Sequence, residues 1–270
     1  MKNNVIILKR ETLSGMVVFI LKAMVTGASS GIGRDIALYL ASLSYDLILV
    51  GRDKEKLEEL KDKIKTKVKI IIVDLSNEQK VKELYVLTKN ENIDLLVNNA
   101  GFGVFGEFVS TDINEEFKML DVNVRAVHLL TKLFLKDMVK KDEGMILNVA
   151  SSASFMAGPL FSSYYASKSY VYRLSLAINE ELRRKRSKVK IAVLCPGPVD
   201  TNFNKRAGVR FTIKALKSDY VAKYAIDKLM KGKTIIIPGV KMKFVKFGVR
   251  FLSDKFVARL TYNIQKKKVK

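Results

Sequence analysis

One cysteine, one histidine, no tryptophan and four prolines stand in 270 residues, and these shortages set limits before any motif is sought. Cys195 alone cannot build a disulfide framework, and Cys195 with His128 cannot supply a zinc site of those ligands, so no metal is expected. A catalytic triad of serine-protease type would depend on His128 alone. A reduced, cytoplasmic protein is expected. Acids are also scarce: 27 Asp and Glu face 49 Lys and Arg, a formal charge of +22. Such a balance suits nucleic acid, an anionic membrane or acidic substrates, and it also arises from a Lys-rich proteome. No nucleic-acid module is recognisable, so no nucleic-acid partner is expected. Long apolar runs are missing too. Near the start the longest, Met16 to Leu21, is six residues, against the ~20 that a spanning helix needs. Residues 1–15 carry no small-residue cleavage site, so a loosely held extension is expected there rather than a signal peptide.

What remains is regular. With 48% apolar and 28% charged residues the chain can bury a sizeable core. Short apolar runs at 17–26, 46–50, 68–73, 95–97, 144–149, 190–194 and 234–237 alternate with helical patterns at 33–42, 54–65, 79–90, 117–140, 164–186 and 219–231. Most runs are continuously apolar, as strands covered on both faces must be. The order predicts an α/β fold: a doubly wound parallel sheet in a Rossmann-type three-layer sandwich, as a single domain over 16–240.

The first run leads into Thr26-Gly27-Ala28-Ser29-Ser30-Gly31-Ile32-Gly33 and then a helical pattern. Gly27 permits a tight turn, Gly31 lets backbone approach a pyrophosphate, and Gly33 lets the helix close on the sheet. Free N–H groups of the turn, with Ser29, Ser30 and Ile32 in the site, and the helix dipole would hold the anion. The second run ends Leu49-Val50-Gly51-Arg52. An acid in this region would hold an adenosine ribose hydroxyl and select NAD. A guanidinium instead pairs with a 2′-phosphate and stacks on adenine. NADP (NADPH/NADP+) is therefore the expected cofactor, and Asp53 keeps NAD(H) open unless it serves only to start the next helix.

Further motifs follow in order: Asp74-Leu75, Asn98-Asn99-Ala100-Gly101, Asn123, Asn148-Val149-Ala150-Ser151, Tyr164-Tyr165-Ala166-Ser167-Lys168 and Pro196-Gly197-Pro198-Val199-Asp200-Thr201. Together with the glycine turn they make residues 18–240 resemble the short-chain dehydrogenase/reductase family. The resemblance implies that Asp74 and Leu75 contact adenine, and that Asn99, Ala100 and Gly101 line the cofactor. It places Pro196, Gly197, Val199 and Thr201 at the nicotinamide carboxamide. Asn123, Ser151, Tyr164 and Lys168 become the catalytic set, with Ser151 and Tyr164 also binding substrate.

The residue chemistry supports that assignment. Tyr164 and Lys168 lie one helical turn apart on one face. A phenol near ~10 is a poor base at neutral pH, and a nearby ammonium would lower it. Tyr164 would protonate a ketone or aldehyde oxygen during hydride transfer, Ser151 would hydrogen-bond the same oxygen, Lys168 would hold the nicotinamide ribose, and Asn123 would hold a water leading to solvent. A catalytically silent nucleotide-binding regulator is the rival. Tyr165, Cys195 and His128 are read as packing residues. Phe102, Val104, Phe155, Met156, Leu160 and the basic stretch 202–219 would meet a small carbonyl substrate, acyl or lipid-like in character. A homo-oligomer is expected through the long helices carrying Asn123 and Tyr164.

The tail 241–270 holds ten Lys or Arg and one acid, Asp254, with Phe244, Phe247, Phe251, Leu252, Phe256, Leu260 and Ile264 at mostly three- and four-residue intervals. This is a basic amphipathic helix or two short ones. It would either pack its Phe face on the domain and solvate its Lys face, or lie peripherally on an anionic membrane.

Overall fold

The computed structural model describes residues 12–13, 16–17, 20–203 and 215–267. Seven parallel strands form the sheet: β1 (Lys22–Thr26), β2 (Asp46–Gly51), β3 (Val68–Ile72), β4 (Leu95–Asn98), β5 (Met145–Val149), β6 (Lys190–Leu194) and β7 (Ile235–Ile236). Their spatial order is 7-6-5-4-1-2-3. The reversal beside β1 is the switch point at which open α/β sheets leave a crevice. The helices are α1 (Gly31–Ser42), α2 (Lys54–Lys61), α3 (Glu78–Thr88), α4 (Ile113–Leu120), α5 (Val127–Lys141), α6 (Ser162–Arg184), α7 (Ser218–Met230), α8 (Val240–Gly248) and α9 (Asp254–Lys266).

Alternate strand residues enter different cores, which explains the continuous apolar runs. Val25, Leu49, Val97 and Leu147 meet Ile36 and Leu40 of α1 and Val221 and Ile226 of α7. Met24, Ile48, Leu96 and Ile146 meet Leu84 of α3, Leu130 and Phe134 of α5 and Leu182 of α6. Both sheet faces are thus covered by helices, the three-layer arrangement the pattern requires.

Three expected elements differ, the smallest change being α2, which ends at Lys61 rather than 65. The first core strand is Lys22–Thr26 rather than 17–26, because Met16–Val17 pairs antiparallel with Thr12–Leu13, apart from the sheet. The single helix expected over 117–140 is α4 and α5 joined by a π-turn, Asp121–Ala126. Asn123 lies in that turn, fully buried, and π-turns inside helices recur at functional positions. Thr12–Leu13 and Met16–Val17 are the described parts of the first 19 residues.

Candidate functional site

The glycine turn is braced by the strand beside it. Thr26 Oγ1 accepts from the backbone N–H groups of Asn99 and Ala100 at 3.0 and 3.1 Å. The Asn99 amide donates to the carbonyls of Thr26 and Gly27 at 3.0 and 3.2 Å. Both amide hydrogens of Asn99 are therefore spent on holding the turn. Gly27 has φ +66°, and a Cβ there would stand 2.8 Å from Ala100 Cα. A Cβ on Gly33 would stand 2.3 Å from Asn99 Nδ2 and 2.4 Å from the Gly27 carbonyl oxygen. Gly33 is a packing requirement behind the turn, whereas Ser29, Ser30, Gly31 and Ile32 line the cavity itself. No side chain caps the start of α1 at Ser30, so the first-turn N–H groups and the dipole remain available to an anion.

At the far end of the crevice lie Arg52, Asp74 and Leu75. Arg52 is exposed. Burial works to raise Asp74, but hydrogen bonds from the Ser76 N–H and hydroxyl and the charges of Arg52 and Lys80 prevail and hold it below its ordinary value. Asp53 is engaged close by. It caps α2 by accepting from the Lys56 N–H at 3.2 Å, and its carboxylate pairs with the Lys56 ammonium. Those bonds keep Asp53 below the usual carboxylate range, the side-chain bond to Lys56 being the largest cause.

The catalytic candidates converge where β4, β5 and α6 meet. Tyr164 and Lys168 are buried on one face of α6, and Ser151 follows β5. The Ser151 oxygen accepts from the Ala153 N–H at 3.1 Å, and Ser151 hydrogen-bonds the Tyr164 hydroxyl. Lys168 Nζ donates to the Val149 carbonyl at 3.0 Å and lies 5.9 Å from the Tyr164 ring centre. Burial lowers the Lys168 ammonium to about 8. Burial also raises the Tyr164 phenol, a rise that the Ser151 hydrogen bond opposes. The expected lowering by Lys168 is thus absent here, since desolvation of the phenolate dominates.

Asn123 donates to the Phe102 carbonyl at 2.8 Å and the Ser167 hydroxyl at 3.1 Å, and its Oδ1 accepts from the Phe102 N–H at 3.1 Å. Both hydrogens and one lone pair are committed, and one lone pair remains. A Cβ on Gly101 would stand 2.9 Å from Asn123 Oδ1 and 3.1 Å from Lys168 Nζ. Glycine at 101 is what lets amide and ammonium approach.

One cavity of about 600 Å³ connects the glycine turn, Arg52, Asp74, Ser151, Tyr164 and Lys168, and Asn123 lies buried behind its wall rather than lining it. Gly27, Gly51, Ala100, Gly101, Pro196, Gly197, Val199 and Thr201 also line it, with Thr201 closing on Gly31. Of the residues expected to meet substrate, Phe102 and Met156 line the cavity and Val104, Phe155 and Leu160 do not. Phe155 instead packs edge-on against Tyr172, ring centres 5.4 Å apart. Within the stretch 202–219, residues 204–214 lie outside the described residues. Cys195 is buried and pushed up to about 12 by desolvation, an inert thiol. His128 is on the surface, bonded to Tyr170 at 2.6 Å, rather than in the apolar packing its helix suggested.

Several contributors were given no role at the site by the sequence. Phe161 stacks on Tyr164 with ring centres 4.5 Å apart, three residues before it and outside any motif. Asn98, Asn148, Thr131 and Ser175 form a buried hydrogen-bonded chain under the site, with bonds of 2.9 to 3.2 Å. Met242, Val245, Thr261 and Ile264 of the tail line the cavity, and Gln265 donates to the Tyr165 hydroxyl at 2.6 Å. The tail does not pack its Phe face on the domain, which was one of its two expected arrangements. Phe244, Phe247, Phe251 and Phe256 are all more than half exposed, and the buried side of α9 is Val257, Thr261 and Gln265.

Comparison with known proteins agrees with this geometry. Residues 22–209 match the family model described as short chain dehydrogenase. Estradiol 17-beta-dehydrogenase 11 of Macaca fascicularis is 30% identical over 262 residues, covering 95% of this chain and 85% of that protein. A short-chain dehydrogenase from Sphingobium yanoikuyae in complex with NADPH superposes with a TM-score of 0.77 at 25% identity, covering 86% of this chain and 95% of that one. A Burkholderia phymatum member in complex with NAD gives the same score and identity, covering 84% and 92%. With the sheet order, the braced glycine turn and the Ser151–Tyr164–Lys168 grouping already in place, the chain belongs to the short-chain dehydrogenase/reductase family and is an oxidoreductase.

Proposed function

We propose that this oxidoreductase uses NADP(H) to interconvert a ketone or aldehyde and an alcohol. The carrying observation is the grouping of Tyr164, Ser151 and Lys168 at one end of a crevice whose other end presents Arg52. The crevice fits a dinucleotide. It has an uncapped helix start, a Gly31–Thr201 approach that a Cβ would block at 2.9 Å, and a guanidinium at the second strand's end. Arg52 would meet the 2′-phosphate and Asp74 and Leu75 the adenine, while Lys168 would hold the nicotinamide ribose. Asp53 caps its own helix and pairs with Lys56, which supports NADP(H) over NAD(H).

The cofactor, when reduced, supplies the hydride to the carbonyl carbon. Tyr164 gives its hydroxyl proton to the carbonyl oxygen, and Ser151 hydrogen-bonds that oxygen as negative charge develops on it. A phenol raised by burial is held in its protonated form at neutral pH, the form that reduction consumes. Lys168, with the water that the remaining Asn123 lone pair can hold, returns a proton toward Tyr164. Phe161 fixes the Tyr164 ring by stacking, and Phe102, Met156 and the tail residues give an apolar seat for the substrate's carbon frame.

The test is a side-by-side titration of NADPH and NADH by cofactor emission, in wild type and Arg52→Ala. NADPH should bind more tightly, and Arg52→Ala should erase most of that preference. Preference for NADH, or no effect of the substitution, overturns the cofactor assignment. Tyr164→Phe should remove turnover of carbonyl compounds and leave NADPH affinity within a few fold; substantial residual turnover would move the proton donor elsewhere.

A further inference from the structure

The tail has two faces, and only one is used by the domain. On α8, Met242 and Val245 turn inward to the cavity. At 100° per residue, Val240, Phe244 and Phe247 fall on the opposite side, and all three are more than 60% exposed. Phe251 continues the stripe, its ring centre 5.1 Å from that of Phe247. On α9, Phe256 and Leu260 form an exposed stripe about one residue, or 100°, from the buried Val257–Thr261–Gln265 row. Contiguous aromatic exposure on this scale marks a contact surface in a soluble domain.

The charge beside the stripes identifies the contact. Lys241 and Lys243 flank the α8 stripe, and Arg250, Lys255 and Arg259 stand along the turn and α9, all exposed. Asp254 is the one acid in 241–270. Two lysines also contact the domain: Lys246 turns inward, 5.6 Å from the Tyr172 ring centre, and Lys243, though exposed, lies 5.9 Å from the Tyr224 ring centre. Among the described residues no helix is long and apolar enough to cross a membrane, so the surface can lie on a bilayer but α8 and α9 cannot span one.

We infer that the outer faces of α8 and α9 dock on an anionic lipid bilayer, Phe244, Phe247, Phe251 and Phe256 entering the headgroup boundary and Lys241, Lys243, Arg250, Lys255 and Arg259 pairing with lipid headgroups. The same helices carry both the exposed stripes and residues of the cavity wall, on opposite sides of α8 and on adjoining sides of α9, so docking holds the oxidoreductase site close to the bilayer. The inference stands independently of the NADP(H) reading, because it is tested without cofactor or substrate.

The experiment is vesicle flotation of the full chain. Phosphatidylcholine vesicles with and without phosphatidylserine are compared, at low and raised salt. Wild type should float with the anionic vesicles, at least tenfold less with phosphatidylcholine alone, and less again as salt rises. Phe244→Ser/Phe247→Ser/Phe251→Ser should reduce flotation at least tenfold with an unchanged melting temperature, since none of the three is buried or lines the cavity. Lys255→Gln/Arg259→Gln should flatten the salt dependence, and it covers the case in which the triple variant folds poorly. Absence of flotation, or flotation that neither variant changes, overturns the inference. So does a wild-type dimer in sedimentation that the triple Phe variant makes monomeric while lipid binding is absent: the occupant is then a second copy of the chain.

Discussion

Replacing Gly33 by alanine places one methyl group where the structure has no room for it. Its carbon would lie 2.3 Å from Asn99 Nδ2 and 2.4 Å from the Gly27 carbonyl oxygen. The second neighbour is backbone and cannot swing aside, so α1 must move away from the turn or Gly27 must shift. Either movement breaks the Asn99 bonds to Thr26 and Gly27. Each such bond is worth roughly 1 kcal/mol, and overpacking a rigid contact adds about 1–3 kcal/mol. A loss of about 3–5 kcal/mol is expected, or a fall in Tm of roughly 6–20 °C in a chain of this size. Displacing the turn also moves the N–H groups that face the crevice, so NADPH should bind at least tenfold more weakly. Calorimetry and an NADPH titration measure the two effects. Gly248→Ala is the control: its added Cβ meets nothing within 4 Å, and Tm should hold or rise slightly through helix propensity. The cycle of Gly33→Ala with Asn99→Ala should show a coupling above about 0.5 kcal/mol, since the residues touch. A Gly33→Ala protein that melts within about 2 °C of wild type and keeps its cofactor affinity would refute the reasoning.

Two further outcomes follow from charge. Lys168 is lowered by burial from 10.5 to about 8, so reductive kcat/KM should fall as pH rises through about 8, while stability moves the other way. Between about 8 and 10.5 the unfolded chain binds the extra proton, and stability therefore rises with pH in that window; a kcat/KM profile flat to about pH 10 contradicts the assignment. Glu91 joins the starts of two strands, pairing with Lys22 at 2.6 Å and Lys69 at 2.8 Å. These bonds, the one from Lys22 first, depress it from 4.5 to about 2. Discounted for its partial exposure, Glu91→Gln should cost about 1–2 kcal/mol at neutral pH. The depressed value means that this stability is present above 4.5 and lost as pH falls toward 2, so urea melts of wild type and variant should converge across that window. A gap unchanged at low pH would show that the cost is steric.

The Asn99 brace and the tail mark where the sequence was and was not informative. Strand–helix alternation follows from local period and continuous apolar runs, so every strand but the first was visible to within a residue or two. The glycine turn, Ser151, Tyr164 and Lys168 were legible because their spacing is local and their chemistry needs those residue types. Arg52 and Asp53 were visible as a pair of alternatives. The pattern could not show what only tertiary contacts reveal, that Asp53 caps its own helix and pairs with Lys56 while Arg52 stays exposed.

Periodicity identifies that a helix has two faces without saying which one the fold will use. In α8 and α9 the larger apolar side chains pointed to the Phe stripe as the inner face. The structure buries Val257, Thr261 and Gln265 and leaves the phenylalanines outside, because the space against Tyr165 and Gly197 admits a glutamine amide and a methionine. Asn123, in the π-turn, is held likewise by bonds to the distant Phe102 and Ser167. The depressed ammonium of Lys168 comes from burial by several elements at once. Composition, period and motif order by themselves determined the sheet, the crevice and the motif residues that face it. Which amide braces, which face turns inward and where a proton rests were decided only by contacts between residues far apart in the chain, through desolvation and packing that no local pattern encodes.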